Sequence, residues 1–314
     1  MKSICNERNV IQIVSNDRYI AVIGCGITIL ERATFAFVHR FAGIRHIHGG
    51  IFLDDDVLAV FTGEQRLYFF QISEKKLLWE CPRPSQLAPT GDIQCCSIPS
   101  VNQIVCIAEG NQGLEDHVLL LVDYQKRTYT LQNITSCRRV ASSLVWNQEL
   151  GVTLLSYEAT GHGDLAYSIA GISDTGAVSI LHEWKCSQCK NAYSGKHLFL
   201  NDNNGKEAQL WMCEFVHSSQ EQQWKWSTSV HLPIPFFKTP GPVGAGVYLP
   251  YVSWVDETLG LLTANTLSWI CVCDFHNQRL LAECNSDRIS CALVLDGNLL
   301  IGTSKGVIEM HLDL

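Results

Sequence analysis

Charge is scarce in this chain: 17% of its 314 residues are Asp, Glu, Lys or Arg, against 46% in the hydrophobic set. That balance excludes a disordered or fibrous polymer and leaves a globular chain with a large core. Basic clusters are absent as well. The 23 Lys and Arg are outnumbered by 31 Asp and Glu, giving a net charge of −8, and no basic run exceeds a pair such as Arg138 and Arg139. Phosphate neutralisation needs a clustered basic face, so nucleic acid is not an expected partner.

Long uninterrupted apolar segments are missing too. The longest uncharged stretch, Thr239 to Val255, holds Pro240, Pro242 and Pro250 together with Gly241, Gly244 and Gly246. A spanning helix would not accumulate these, so no membrane partner is expected. Lys2, Glu7, Arg8, Asp17 and Arg18 interrupt the N-terminus before any apolar run long enough for a signal-peptide core. The expected location is the cytoplasm. No segment sustains a helical period with caps, so almost no helix is expected.

Cysteine, in contrast, is plentiful, at 14 residues. Cys5, Cys25, Cys81, Cys106, Cys213, Cys271, Cys273, Cys284 and Cys291 lie in or beside apolar runs, where a free thiol behaves as a small hydrophobe. They are expected to be reduced core residues, in keeping with a reducing compartment. Adjacent Cys95 and Cys96 should point to opposite faces of one strand.

Self-comparison reveals a repeated unit. Ile51 to Cys81 (IFLDDDVLAVFTGEQRLYFFQISEKKLLWEC) aligns with Gln12 to Phe41 (QIVSNDRYIAVIGCGITILERATFAFVHRF) as four apolar strands separated by polar or glycine turns. Tyr251 to Cys284 fits the same frame, and Ala292 to Leu314 fits but stops after three strands. Cys95 to Asn133 and Leu144 to Trp184 fit with a lengthened second turn, and Lys190 to Pro235 is the least regular copy. Seven copies in 314 residues is about 45 each, the period of a four-stranded propeller blade.

The expected fold is therefore all-β: a single domain over residues 1–314, built as a seven-bladed β-propeller of four-stranded antiparallel blades. Stacked sandwiches or a closed barrel do not account for the four-strand grammar. Because the last copy is one strand short, Lys2 to Cys5 is expected to pair beside Val307 to Leu312 as its outermost strand and so close the ring. Ile4 should then face inward and Lys2 the solvent. In pattern and period the chain resembles the WD40-like superfamily of seven-bladed propellers. That superfamily's recurring Gly-His and Trp-Asp pairs are absent, a single Gly161-His162 aside, the nearest echoes being Leu-Leu-Trp at 77 to 79 and the Val-Cys-Asp that ends at Asp274.

Several local motifs carry possible chemistry. Cys186-Ser-Gln-Cys189, flanked by His182 and His197, has the spacing of a zinc knuckle or a redox dithiol. No second CxxC completes a structural zinc site, so a loop with two reduced cysteines is expected, and no cofactor. His46 and His48 would share a strand face, as channel lining or strand edge. Asp54 to Asp56 reads as a solvated turn, lacking the alternating ligands of a calcium loop. Thr160-Gly-His162-Gly-Asp164 reads as a flexible turn, and no nucleophile elbow, Walker motif or dinucleotide fingerprint is present.

Trp224, Trp226, Phe236 and Phe237 form an aromatic cluster stiffened by neighbouring prolines, a candidate partner-binding site. Packing between blades is its structural alternative. The expected function is a non-enzymatic protein–protein interaction scaffold whose partner is another protein. Two alternatives stay open: a hydrolase or lyase with residues converging at a channel mouth, and a small-ligand sensor using His46, His48 or His162.

Overall fold

The computed structural model describes residues 2–91, 93–98, 103–112, 117–134, 137–140, 144–147, 150–159, 166–185, 191–193, 197–203, 208–217, 222–230, 251–254, 259–263, 269–274, 277, 279–285 and 289–312. Among them there is no helix, and none is long and apolar enough to cross a membrane. The strands form seven antiparallel sheets.

The chain opens with β1 (Lys2–Cys5). The first sheet wholly contiguous in sequence then runs β2 (Gln12–Ser15), β3 (Tyr19–Ile23), β4 (Ile27–Glu31) and β5 (Phe37–Phe41). The next holds β6 (Ile47–Phe52), β7 (Val57–Thr62), β8 (Leu67–Gln71) and β9 (Lys76–Cys81). A third holds β10 (Ile93–Ile98), β11 (Gln103–Glu109), β12 (His117–Asp123) and β13 (Thr128–Ile134).

In the fourth, the first strand is split. Both β14 (Cys137–Val140) and β15 (Val145–Asn147) pair with β16 (Val152–Ala159), which continues to β17 (Ala166–Ile172) and β18 (Val178–Lys185). The fifth holds β19 (Asn191–Tyr193), β20 (His197–Asn203), β21 (Ala208–His217) and β22 (Gln222–Val230). The sixth holds β23 (Tyr251–Trp254), β24 (Leu259–Thr263), β25 (Trp269–Asp274) and β26 (Arg279–Asn285).

The seventh sheet joins the two ends of the chain. It runs β27 (Ile289–Leu295), β28 (Asn298–Thr303), β29 (Gly306–His311) and then β1, with Lys2 opposite Glu309, Ser3 opposite Ile308 and Cys5 opposite Val307. The pairing follows the frame read from the repeat. Ile4 packs against a core cluster with Val10, Val22 and Leu300, while Lys2 stays exposed. Gly306 makes the close approach possible. At φ 139°, a Cβ on it would sit 2.1 Å from the Cys5 carbonyl oxygen.

Contacts divide the chain into two compact units, Met1–Thr135 with Arg288–Leu312 and Ser136–Asp287 with Asp313–Leu314. In the first unit β3 and β7, the second strands of their sheets, are buried along their whole length and almost wholly apolar, with side chains packing on both faces. Phe69 is fully buried, with its ring stacked 5.2 Å from Trp79 and 5.9 Å from Tyr124. Asp296 and Gly297 both take positive φ, the type I′ geometry that matches strand twist in a two-residue hairpin.

Two expectations need correction. Cys25 is exposed rather than part of the core. His46 and His48 do not sit on a regular strand face: His46 precedes β6 at φ 52°, and His48 occupies the bulge between Ile47 and Gly49. The left-handed backbone at His46 and the bulge at His48 break the alternation, whereas the same-face reading assumed an unbroken period of two. Cys5, Cys81, Cys95, Cys106 and Cys284 are buried cysteines outside any disulfide, and Cys96, unlike Cys95, is only partly buried.

Candidate functional site

A run of tight approaches in the first unit builds one cleft. The segment between β1 and β2 is tied to both neighbouring sheets by backbone bonds. Asn9 N–H donates to Ser304 O at 3.0 Å and Val10 N–H to Thr303 O at 3.1 Å on one side. On the other, Ile11 N–H donates to Ile23 O at 2.8 Å, and Cys25 N–H donates to Arg8 O at 2.9 Å. Gly24 and Gly26 are needed here: a Cβ on Gly24 would lie 2.4 Å from Arg8 O, and one on Gly26 would lie 2.6 Å from the Arg40 guanidinium. With glycine on both sides folded against the chain, Cys25 is left pointing outward.

Glu7 sits at the floor, with only 2% of its side chain exposed. Its carboxylate accepts four hydrogen bonds: from Gly26 N–H (3.1 Å), Thr28 Oγ1 (2.7 Å), Arg40 Nε (2.8 Å) and Arg40 Nη2 (3.1 Å). Burial alone would raise its pKa, but the Arg40 and Thr28 bonds outweigh that and hold the carboxyl below its ordinary value. Glu7 is therefore an anchored anion rather than a free base.

Above this pair lies a cavity of about 790 Å³ between β1 on one side and β4–β5 on the other. Ile4, Leu30, Phe35 and Phe37 supply its apolar wall, and Arg8, Arg40 and Cys25 its polar one. Phe37 is 66% exposed, the most exposed large hydrophobic side chain among the described residues. Phe35 is turned into position by a left-handed backbone, φ 57°. Its volume lies in the range of small-ligand and short-peptide pockets. No group of three or more His, Cys, Asp or Glu capable of holding a metal occurs among the described residues.

The motifs singled out in the sequence fall elsewhere. Trp224 and Trp226 lie on β22, at register positions opposite Phe215 and Cys213. Phe236, Phe237, Cys186, Cys189, His162 and Asp164 lie outside the described residues. His182 and His197 fall in β18 and β20, in different sheets. Two of the three Asp residues of the β6–β7 turn cap structure: Asp54 Oδ1 accepts from the N–H groups of Asp56 and Val57 at 2.7 Å each, and Asp56 accepts from Ser73 N–H and Oγ. Sequence reading missed the cleft. Its one visible signal was Gly24-Cys25-Gly26 breaking an apolar strand pair, a mark of close backbone approach.

No protein-family model matches the chain, and no curated protein matches its sequence. Solved structures do. The β-propeller domain of Myceliophteria thermophila Cps50 (Swd1) superposes with a TM-score of 0.65 at 10% identity, over 96% of each chain. The RRP9 WD40 repeats give 0.65 at 10% identity, over 97% of this chain and 94% of that one. The chain has the β-propeller fold. Its seven sheets are the blades, of four strands each apart from the split first strand of the fourth. Kuenenia stuttgartiensis hydrazine synthase is similar as well, with a TM-score of 0.68 at 10% identity over 98% of this chain and 96% of that one. An enzyme and WD40 repeats share this architecture, so function has to be argued from the site.

Proposed function

We propose that residues 1–314 act as one propeller domain, a non-enzymatic protein-interaction scaffold of the reducing cytoplasm, with the cleft beside β1 as a contact surface for another protein. The observation that carries this reading is Phe37, held 66% exposed on the wall of a formed cavity where burial would ordinarily be favoured. Aromatic side chains beside an arginine are the usual composition of an interface anchor. Catalysis has less support here, because both oxygens of the only carboxylate lining the cleft are already taken. The buried cysteines outside any disulfide accord with a reducing compartment.

The test is site-specific crosslinking. A photoactivatable phenylalanine analogue at position 37 should yield one saturable protein adduct in the native host. The same analogue at Ile180, exposed to 57% in the other unit, should not. Equal adducts at both positions, or none at position 37, would overturn the reading.

A further inference from the structure

We infer that the cleft takes an extended peptide segment of its partner in which an acidic side chain neighbours an aromatic or aliphatic one. The inference rests on the interaction reading above and specifies its chemistry. Arg40 spends Nε and one Nη2 proton on Glu7, and a guanidinium has five N–H donors. Three donors remain, on a side chain that is 43% exposed at the cavity wall. Arg8 adds a second positive charge there, while the only carboxylate, Glu7, is buried and bonded. In a chain of net charge −8 the cleft is thus locally cationic. An incoming carboxylate would meet the outward edge of the guanidinium, where charge-assisted bonds favour it over a neutral group.

The remaining wall fixes the rest of the ligand. Phe35, Phe37, Ile4 and Leu30 offer apolar surface beside the arginines, so the acid must travel with an apolar neighbour. β1, whose Ser3, Ile4 and Cys5 line the cleft, pairs with β29 on one side and with no strand on the other among the described residues, so one of its edges is open. An extended segment can add to such an edge, its alternate side chains reaching the two kinds of wall.

The experiment is selection of a displayed random-decapeptide library on the full chain, followed by synthesis of an enriched sequence with both ends blocked. Enrichment of Asp or Glu beside Phe, Leu, Ile or Trp is expected. The synthetic peptide should shield Cys25 from iodoacetamide, since that exposed thiol lines the cleft. Exchanging its acid for the amide should weaken binding about tenfold, the scale of one lost charge-assisted bond. Arg40→Gln should do the same. Because that change also disturbs Glu7, Arg8→Gln and Phe37→Ser, which leave the Glu7 bonds intact, must weaken binding as well, with thermal midpoints confirming the fold. Peptides that shield Cys25 but carry no acid, or bind equally as the amide, would overturn the inference and leave the contact surface standing. Peptides that bind without shielding Cys25, or no enrichment, would also overturn it, and the position-37 crosslink then decides separately whether the cleft is a contact surface.

Discussion

Glu7 shows how a single side chain can hold a blade junction. It lies between β1 and β2, yet its bonds go to Gly26, Thr28 and Arg40 in the neighbouring sheet. Glu7→Ala would strand Thr28 and Arg40 without their acceptor. Arg40 can turn to water, so the expected loss is about 1–3 kcal/mol rather than that of a fully buried pair. Urea denaturation measures it, and an unchanged midpoint would show the pair to be ornamental. Thiol reactivity gives a second residue-scale prediction. Burial pushes Cys81 and Cys291 up to about 12 and raises Cys106 as well, its bond with Cys95 adding to the effect. Only the thiolate attacks an alkylating reagent. Native protein should therefore be alkylated at Cys25 well before Cys81, Cys106 or Cys291, which should react only on unfolding. Mass spectrometry of a timed iodoacetamide series reads the order.

At the scale of the element, β1 is the test case. It contributes a short outer strand to β29, and each net backbone bond is worth about 0.5–1.5 kcal/mol. Removal of residues 1–6 should cost a few kcal/mol and lower the thermal midpoint by several degrees. Gly306→Ala should cost a comparable amount in the full chain, because its Cβ would strike the Cys5 carbonyl. The two changes should not add, since without β1 most of that clash disappears. Full additivity in the double variant would place the Gly306 requirement elsewhere. The strand itself was legible in the sequence, because the three-strand remnant ending at Leu314 lacked an edge partner and Lys2–Cys5 was unassigned. The blades were legible for a related reason: turns rich in Asp, Asn and Gly recur at a fixed period, and strand spacing is local information. The aligned copy from Ile51 leaves out the first four residues of β6, which starts at Ile47, because His46 and the His48 bulge interrupt the alternation on which the alignment depended. The cleft was not legible. Glu7 and Arg40 are 33 residues apart, and nothing in their local sequence announces that a glycine at position 26 brings the guanidinium down onto the turn.

For the whole molecule, acidity shifts the balance between native and unfolded states, and the sign follows from four carboxylates. Glu7 and Asp56 are pushed up by burial and pulled further down by hydrogen bonds, from Arg40 and Thr28 in one case and Ser73 in the other. Asp123 is lowered by Lys126, and Asp296 by the two-pronged contact with Arg32, at 2.8 and 2.7 Å. All four lie in the unit formed by Met1–Thr135 and Arg288–Leu312. Each binds its proton more weakly when folded, so the unfolded chain takes up more protons as pH falls. Their stabilisation is fully present above the ordinary carboxylate range, near 4, and is lost as pH drops through the lower folded values. Denaturant midpoints should thus hold steady from pH 7 to about 5 and fall steeply below 4. Added salt should weaken the exposed Asp296–Arg32 and Asp123–Lys126 pairs first and leave the buried Glu7 contribution largely intact. In Glu7→Gln the acid limb should become shallower, even at high salt. An acid limb identical to that of the unaltered chain would mean that this carboxylate titrates alike in both states, and that the Arg40 contact does not survive in solution.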